Sequence, residues 1–532
     1  MQRFRRTPSF LVAPLVLLPA LGCTEPPAAD GTDTDGSSGT TSVTGSTSGT
    51  TNADTSTTDP TTTGDESPTT TDPTATGPET TGCTTECSDS SSGDGTTEGE
   101  STGTTTGDPP CEVGDPGCAQ GVDLLFVIDN SGTMGEEQQS LASSFPLFVE
   151  QLRTFTDAAG TPVDLDVHVM VTTTDMGNPL CTPFEPAGYD PAMGEPIDTA
   201  CIDRLQGFTD LTGTNSIPEA CTTLCPVAVT PADPYVAFDA MGSNVPGAPV
   251  DIDGDGTLDS PAAQALACIG PQGINGCGYE SPLETMLQAL NPSAAWNSGA
   301  DPFLREGATL GVVIVTDEAD CSLLDASLME DPAFQNINPN TGVPSPSSAI
   351  CWNAGMTCDG PDGMGVYSNC MPTAGNGLQP VSRYTSYLID ELRVSQGKEV
   401  FMLGIVGVPS VTAHAVDSPF EPTGGGVLDL VYRDWRDGAY PVGDILPDEF
   451  AMGQTAATKQ HVFGIGPACT GADAGGSFTG QAIPPGRIRE TCEALDLGAA
   501  GEDLRCGLES VCDDDYTGAI TTLVGMLQQT LP

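Results

Sequence analysis

Two nearly continuous apolar runs, each ending in an aspartate, constrain the fold more than any other feature of the sequence. Residues 121–129 read Gly-Val-Asp-Leu-Leu-Phe-Val-Ile-Asp, and residues 308–317 read Ala-Thr-Leu-Gly-Val-Val-Ile-Val-Thr-Asp. Runs of this kind are typical of parallel strands that are buried on both faces of a sheet. Ligands bind such sheets at the carboxyl ends of the strands. The sequence therefore predicts that Asp129 and Asp317 lie at a binding edge.

The segments between and after these runs alternate between strand-like and helix-like patterns. The longest predicted helix spans residues 136–156, where apolar side chains recur on one side, and it follows the first run directly. This alternation predicts an α/β fold built on a doubly wound, mostly parallel, Rossmann-like sheet. The other predicted strands are 163–174, 399–406 and 460–465, and the other predicted helices are 281–290, 382–394 and 516–531.

Two long stretches of the chain lack a regular pattern of apolar residues. They lie at about 176–275 and 320–380, and we predict that they are loop insertions in one folded domain that spans residues 111–532. Core burial alone is too small to order such segments, so disulfides are expected to hold them. The chain has 19 cysteines, a number typical of an oxidising compartment rather than of the cytosol.

The cysteines of the predicted domain fall into groups of even size. Pairing within each group is therefore expected, although the spacing leaves the individual partners open. Cys83 and Cys87, further upstream, form a small loop of their own. The groups after residue 180 are Cys181, Cys201, Cys221 and Cys225; Cys268 and Cys277; Cys321, Cys351, Cys358 and Cys370; and Cys469, Cys492, Cys506 and Cys512.

The first residues have the pattern of an export signal. Arginines at positions 3, 5 and 6 precede an apolar run at 10–21, which two prolines break and which is too short to span a bilayer. The run ends in Ala20-Leu21-Gly22-Cys23, which resembles the lipobox of bacterial lipoproteins. The resemblance implies that residues 1–22 are a signal peptide and that a lipid on Cys23 anchors the chain to a membrane. Ordinary signal cleavage, with Cys23 as one more thiol, is the alternative.

Residues 23–110 form a low-complexity segment. Thr, Ser, Gly, Asp, Glu and Pro dominate it, and it contains no aromatic residue, Lys or Arg. Such a composition cannot bury enough apolar surface to offset the entropy of ordering, which predicts a disordered linker. Repelling acids and prolines extend a chain of this kind. We expect the linker to hold the domain away from the membrane, which favours an exported protein of the cell envelope, at the outer membrane or the cell surface.

The charge balance excludes one class of partner. The chain has 73 acidic and 15 basic residues, which give a formal net charge of −58. A field this negative repels nucleic acid and anionic surfaces, and it attracts cations. We therefore expect no nucleic-acid partner, and we expect contact with the membrane through the lipid anchor alone.

The residues that follow the first apolar run carry the most specific motif. Asp129-Asn130-Ser131-Gly132-Thr133 stands between the first predicted strand and the first predicted helix, and Asp317 ends the second apolar run. Together they resemble the metal-ion-dependent adhesion site of von Willebrand factor A domains. That family has the pattern Asp-x-Ser-x-Ser and a distal Asp at the end of its fourth strand. Thr133 departs from the pattern but keeps the hydroxyl.

The family's remaining ligand is a Thr in a loop that opens a helix. In the matching stretch of this chain no Thr occupies that place, and either Glu280 or Ser281 stands in for it. A Glu would make the site more anionic and would leave less positive charge on the metal for a partner. The resemblance covers roughly residues 121–531 and implies a fold of the von Willebrand factor A type, stretched by the insertions.

The resemblance implies a site at which a divalent metal binds a partner. Asp129, Ser131, Thr133 and Asp317 supply carboxylates and hydroxyls, a hard oxygen set suited to Mg²⁺ or Mn²⁺. In this family a partner's Asp or Glu often completes the metal's shell, so the expected partner is a protein that presents a carboxylate. Two alternatives remain. The aspartates orient loops without metal, or the metal contributes stability alone.

A second candidate metal loop lies at residues 251–259. Carboxylates stand at alternate positions and a Gly stands at the sixth, as in the first half of a calcium loop, but Ala262 occupies the twelfth position, where a Glu would close it. The loop resembles the shorter Asp-rich calcium loops of secreted bacterial proteins, and a plain acidic turn is the alternative. The ligands expected for structural Ca²⁺ are Asp251, Asp253, Asp255, Thr257 and Asp259.

The sequence carries no motif for catalysis. It has 3 histidines, no Gly-x-Ser-x-Gly, no His-Glu-x-x-His and no phosphate-binding loop. The run 317–320 reads Asp-Glu-Ala-Asp, which we interpret as the metal-binding Asp followed by solvated acids. We therefore expect no enzyme. The sequence favours a metal-dependent protein-binding or adhesion module, and the alternative is a structural envelope protein that calcium and disulfides stabilise without a dedicated ligand.

Overall fold

The structure, a computed structural model, describes most of the chain after residue 118. The described residues are 119–213, 215–373, 375–438, 440, 445, 454–472, 478–496 and 504–531. The predicted signal peptide, the lipid attachment at Cys23, the linker to residue 110 and the pair Cys83 and Cys87 lie outside the described residues.

The strands belong to one large sheet and several hairpins. In chain order they are β1 (Gln120–Ile128), β2 (Leu165–Thr173), β3 (Val236–Phe238), β4 (Thr309–Val315), β5 (Met356–Asp359), β6 (Ser368–Pro372), β7 (Val400–Val406), β8 (Val411–His414), β9 (Pro422–Gly425), β10 (Cys469–Ala472), β11 (Phe478–Ala482) and β12 (Cys506–Ser510).

None of the described helices is long and apolar enough to cross a membrane. The α-helices are α1 (Gly135–Arg153), α2 (Glu219–Thr222), α3 (Pro261–Ile269), α4 (Pro282–Ala289), α5 (Ala349–Gly355), α6 (Ser382–Thr385), α7 (Ala456–Phe463), α8 (Gly486–Glu493) and α9 (Thr517–Thr530). A π-helix, Ser386–Ser395, continues α6, and short 3-10 helices span Cys201–Phe208, Ala295–Asn297, Ala326–Glu330 and Gly426–Asp429.

Six strands form the central sheet in the order β12-β7-β4-β1-β2-β3. All neighbours are parallel except β2 and β3, which are antiparallel. The predicted α/β class with a mostly parallel sheet is thus confirmed. Numbered by sheet strands alone, the order is 3-2-1-4-5-6, which is the doubly wound arrangement with its switch point between the first and fourth strands.

Helices cover both faces of this sheet, because β1 alternates its side chains between two apolar layers. Phe126 and Ile128 of β1 pack into the layer that contains α1, α3 and α9. Leu125 and Val127 pack into the opposite layer, with α4, α6, the π-helix and α8. Burial on both faces explains why β1 and β4 read as continuous apolar runs rather than as alternating ones.

One predicted strand is wrong. Residues 460–465 were expected in a strand, but the structure places most of them in the helix α7 and the turn after it. Thr455 caps this helix by accepting a hydrogen bond from Thr458 N, and Gly464 ends it with a φ of 77°. A short apolar run does not distinguish a strand from a helix, so these flanking residues decide the outcome.

The disulfides partly contradict the expected pairing within sequence groups. The last two groups pair internally, but Cys181 and Cys225 bond across to the group that precedes α4, because α3 returns the chain to the first insertion. The insertion is therefore tied directly to the loop that leads to Glu280. The described pairs are Cys181–Cys277, Cys201–Cys221, Cys225–Cys268, Cys321–Cys351, Cys358–Cys370, Cys469–Cys512 and Cys492–Cys506.

Buried His168 on β2 makes the stability of the chain depend on pH. Burial, and secondarily the charge of Arg305, lowers the pKa of His168 from 6.5 to about 3. The unfolded chain therefore takes up a proton that the folded chain does not, so this stability is present above pH 6.5 and is lost as the pH falls towards 3. Between pH 7 and pH 5 we expect the native chain to lose about 2 kcal/mol that a His168→Phe variant retains.

Urea unfolding of both chains at the two pH values measures this difference. The quantity to compare is the change in the free energy of unfolding between the two pH values. The absolute free energies are less suitable, because the substitution also changes the packing around residue 168. Identical pH profiles for the native chain and His168→Phe would contradict the prediction.

Candidate metal centre

The two predicted metal-binding aspartates follow neighbouring strands at the switch point of the sheet. Asp129 comes directly after β1, and Asp317 stands two residues after β4, which pairs with β1. The chain leaves β1 towards α1 on one face, and the segment after β4 leads to α6 on the other face. A crevice forms where adjacent connections diverge in this way.

The loop after β1 is held in place by hydrogen bonds to Asp129. Ser131 N donates to Asp129 Oδ1 at 2.7 Å, and Thr316 Oγ1 donates to Asp129 Oδ2 at 2.5 Å. From α1, Gln138 Nε2 donates to the Asp129 carbonyl oxygen at 2.7 Å. Asp129 is completely buried, and burial raises its pKa despite these bonds. The structure therefore keeps a carboxyl out of water at the predicted position.

Asp317 is buried beside Asp129, and one of its oxygens lacks a partner. Its Oδ1 receives no hydrogen bond, while the hydroxyl of Thr133 bonds to the carboxyl. Burial, and then the charge of Asp129, raises the pKa of Asp317 to about 8. The Oγ atoms of Ser131 and Thr133 lie 3.5 Å apart. The structure thus brings the motif hydroxyls and both aspartates together.

The structure distinguishes between the two stand-ins for the missing Thr. Ser281 Oγ donates to the carbonyl oxygen of Cys321 at 3.0 Å, and Ser281 N donates to the carbonyl oxygen of Thr174, so this residue fixes the loop. Glu280 is completely buried, accepts a hydrogen bond from the hydroxyl of Thr174, and has an Oε1 without a partner. Burial, followed by the charge of Asp129, raises the pKa of Glu280 well above its usual value. Glu280 is therefore the member of the pair that faces Asp129.

Two further carboxyls lie in the same negative field. Burial, and then the charge of Asp317, raises the pKa values of Glu137 and Glu318 well above the usual value. In the described part of the chain no Lys or Arg forms an ion pair with any carboxyl of this cluster. We define the acidic centre as Asp129, Glu137, Glu280, Asp317 and Glu318.

The acidic centre fits a hard divalent cation. Its potential donors are carboxylate and hydroxyl oxygens, which Mg²⁺ and Mn²⁺ prefer. Buried carboxyls without a countercharge cost stability, and several of their oxygens have no partner. The carboxylate oxygens of Asp129, Glu280 and Asp317 do not all lie within 4.8 Å of one another. The hydroxyls of Ser131 and Thr133, with water, would complete the shell of an ion that Asp129 and Asp317 hold.

The second candidate, the loop 251–259, lies away from the acidic centre, just before α3. Its backbone is folded around its own carboxylates: Gly254 N donates to Asp251 Oδ1 at 2.7 Å, and Ile252 N donates to Asp259 Oδ2 at 2.9 Å. The carboxylate oxygens of Asp251, Asp253 and Asp259 all lie within 4.8 Å of one another. Burial raises the pKa of Asp259, and its acidic neighbours add to the effect.

One further predicted ligand of this loop, Asp255, is not brought to that point. Asp255 does not belong to the close group, and its Oδ1 instead accepts a hydrogen bond from Thr257 N at 2.6 Å. Three exposed or half-exposed carboxylates then form the part of the loop that suits Ca²⁺. Position twelve, Ala262, is completely buried inside α3, so the loop ends where this helix begins.

A close group of three cysteines is explained without a metal. Cys201, Cys221 and Cys225 have sulfur atoms within 4.8 Å of one another. Cys201 bonds to Cys221, and Cys225 bonds to Cys268, so two adjacent disulfides account for the group. No thiolate is left there to bind zinc.

Several neighbours of the acidic centre were not predicted from the sequence. Thr174 and Asp175 directly follow β2, and Tyr189 donates to Asp175 Oδ2 at 2.6 Å while it accepts from Asn130 Nδ2. Thr174 stands at a strand end, which is a signal that sequence reasoning could have used. Tyr189 comes from the unpatterned insertion, and no local signal identifies it.

The interpretation of the acids that follow Asp317 as solvated is wrong for both of them, because Glu318 is half-buried, with its pKa raised by burial, and Asp320 is buried. Asp320 is 2 % exposed. It accepts hydrogen bonds from Arg487 Nε at 2.8 Å and from Ser322 Oγ at 2.7 Å. Its carboxylate therefore stabilises the fold beside the acidic centre, because it neutralises a buried arginine.

Comparison of the chain with protein-family models, with curated proteins and with solved structures gave no match. The arguments about function therefore rest on the geometry and the charges of the acidic centre.

Proposed function

We propose that the chain is a divalent-metal-dependent protein-binding module of the von Willebrand factor A type. The observation that carries the proposal is the acidic centre itself, in which five buried or half-buried carboxyls share one sheet edge without an ion pair from the described residues. A bound Mg²⁺ or Mn²⁺ would supply the missing positive charge and would leave a coordination position for an outside oxygen.

The order of the sheet strands supports the family assignment. The family's distal Asp follows its fourth strand, and Asp317 follows β4, the fourth strand of this sheet, once the short β3 is counted. The pentapeptide 129–133 opens the connection from β1, the first strand, to α1. Both motif segments therefore stand in the positions that the resemblance requires.

The proposed partner is a protein that presents a carboxylate to the metal. Thr133 and Glu318 are half-buried, so they border the part of the acidic centre that a partner can reach. With Glu280 beside the metal, three carboxylates already face a charge of two, which weakens the attraction for a further carboxylate. We therefore propose a reversible contact whose strength depends on salt. The lipid on Cys23 and the linker would display this contact in the cell envelope.

Calorimetric titration of the full chain with Mg²⁺, Mn²⁺ and Ca²⁺ tests the proposal. We expect Mg²⁺ or Mn²⁺ to bind the native chain at a site that the double variant Asp129→Ala, Asp317→Ala lacks. The matched control is Asp251→Ala, Asp253→Ala, which removes two carboxylates from the other acidic loop and should keep that site. If the first double variant binds Mg²⁺ and Mn²⁺ as the native chain does, the proposal fails.

A structural envelope protein is the second candidate function. It is favoured by the close carboxylates of Asp251, Asp253 and Asp259 and by the disulfides, which cross-link segments within both insertions. In this case Ca²⁺ at the loop would raise the melting temperature, and the acidic centre would bind no protein. The same titrations separate the two functions, because Ca²⁺ binding would then disappear in Asp251→Ala, Asp253→Ala alone.

A further inference from the structure

The acidic centre draws its carboxyls from different loops, whose separation must be fixed for a metal ion to fit. Asp129 lies in the loop after β1, whereas Glu280 lies in the loop before α4. From α1, Gln138 Nε2 donates to the carbonyl oxygens of Asp129 and Gly273, which joins the backbones of these two loops. Their side chains are joined by a second set of contacts.

A tyrosine from the first insertion connects the side chains of the two loops. The Tyr189 hydroxyl donates to Asp175 Oδ2 at 2.6 Å and accepts from Asn130 Nδ2 at 3.1 Å. Asp175 Oδ2 also accepts from Cys277 N at 3.3 Å. Asn130 belongs to the loop after β1, and Cys277 belongs to the loop before α4. We define the tyrosine bridge as Asn130, Asp175, Tyr189 and Cys277.

The tyrosine bridge is shielded from water. Asp175 is 1 % exposed and Asn130 is 3 % exposed. Burial, and then the charge of Asp175, raises the pKa of Tyr189, so the hydroxyl keeps its proton and donates it to the carboxylate. A buried carboxylate that loses a donor still bears the cost of its desolvation. We therefore expect the loops to shift if the Tyr189 hydroxyl is removed.

The insertion that carries Tyr189 is anchored independently of this hydroxyl. The disulfide Cys181–Cys277 ties it to the loop before α4. Gly194, after Tyr189, approaches α4 so closely that a Cβ there would lie 2.8 Å from Ala289 N. Loss of the hydroxyl should therefore loosen the tyrosine bridge without unfolding the insertion.

The separation of the two loops bears on which cation the acidic centre holds. Mg²⁺ requires oxygens at about 2.0–2.1 Å in nearly regular octahedral geometry, whereas Ca²⁺ accepts irregular geometry at about 2.3–2.6 Å. Loops that cannot move apart favour the smaller ion, because they cannot adapt to the longer contacts of Ca²⁺. The tyrosine bridge restricts this movement through hydrogen bonds that hold one buried side chain from each side.

We propose that Tyr189 is a positioning residue of the acidic centre and gives it selectivity for Mg²⁺ or Mn²⁺ over Ca²⁺. Its hydroxyl holds Asn130, and with it the neighbouring Asp129, against the loop that carries Glu280. The inference rests on the proposed metal-dependent function and adds the residue that selects the ion. It also assigns a function to the first insertion, which supplies Tyr189.

Calorimetric titration of the full chain tests the proposal. Every chain carries Asp251→Ala, Asp253→Ala, so that the loop 251–259 does not contribute to Ca²⁺ binding. We expect Tyr189→Phe to bind Mg²⁺ about tenfold more weakly. Its affinity for Ca²⁺, measured by competition with Mg²⁺, should fall much less. The ratio of the two dissociation constants then shifts towards Ca²⁺, which a general loss of stability would not produce.

The matched control is Tyr367→Phe. Tyr367 is half-buried, as Tyr189 is, and its hydroxyl also donates to a carboxylate at 2.6 Å, that of Asp434. Neither residue belongs to the tyrosine bridge, so this variant should bind both ions as the parent chain does. Three results would overturn the proposal: unchanged Mg²⁺ affinity in Tyr189→Phe, an equal loss in Tyr367→Phe, or no shift in the ratio, which includes the absence of Ca²⁺ competition in both chains.

Failure of the proposed function gives a different result. In that case the parent chain itself shows no Mg²⁺ site that depends on Asp129 and Asp317, and the inference about Tyr189 fails with it. In the three results above, the parent chain binds Mg²⁺ at the acidic centre and only the effect assigned to Tyr189 is missing.

Discussion

Asp317→Asn should stabilise the metal-free chain and abolish its stabilisation by Mg²⁺. Folding buries this carboxyl beside Asp129 and raises its pKa to about 8, so it must be protonated or left ionised without solvent at pH 7. Either state costs stability, and a neutral amide of the same shape should recover about 1 to 3 kcal/mol. With Mg²⁺ at about a hundred times its Kd, the native chain should gain about 2.7 kcal/mol, whereas the variant should gain none.

Urea unfolding at pH 7, in EDTA and in Mg²⁺, measures both effects. Asp317→Asn should be the more stable chain in EDTA, and this difference in stability should close or invert in Mg²⁺. Asp390→Asn, on an exposed helix surface, is the control and should follow the native chain in both buffers. A variant that Mg²⁺ stabilises as much as the native chain would show that Asp317 holds no metal.

Asp320→Ala should lower the free energy of unfolding by about 3 to 5 kcal/mol, because it leaves a buried guanidinium without its countercharge. Asp320 and Arg487 are both almost fully buried, and they pair at 2.8 Å. The Asp320 carboxylate also accepts a hydrogen bond from Leu283 N in the first turn of α4 at 3.2 Å. The substitution therefore removes one partner of an ion pair and an anion at a helix N-terminus.

The double variant Asp320→Leu, Arg487→Met separates the loss of charge pairing from a general loss of packing. It removes both charges, and we expect it to recover most of the stability that Asp320→Ala loses. Urea unfolding of the three chains gives the comparison. If Asp320→Ala costs less than about 1 kcal/mol, which is the range of exposed ion pairs, the buried pair does not contribute as described.

The central strands could be predicted because they are buried on both faces and therefore appear in the sequence as runs of consecutive apolar residues. β4 and β7 are buried along their whole length, and β1 is buried after its first residue. Such runs have few alternative structures. The edge strands could not be predicted in this way. β3 has three residues inside an unpatterned insertion, and β12 carries Gly507 and a buried Glu509. Their strand structure depends on pairing with β2 and β7, which are distant in sequence.

The residues of the acidic centre also differ in whether they could be predicted from the sequence. Asp129 and Asp317 were recognisable from their places after apolar runs, since position along a parallel strand determines which edge a side chain reaches. The choice between Glu280 and Ser281 was not, because both stand in one loop. It depends on Thr174 and Cys321, which engage their side chains from other parts of the chain.

By itself, the sequence determined the α/β class, the strands at the centre of the sheet and the edge at which the aspartates lie. These follow from local hydrophobic patterning, which acts through the periodicity of neighbouring residues. The tertiary structure alone decided the disulfide partners and the burial of Asp320 with Arg487. Each of these depends on contacts between segments far apart in the chain, and such contacts leave no trace in the spacing of adjacent residues.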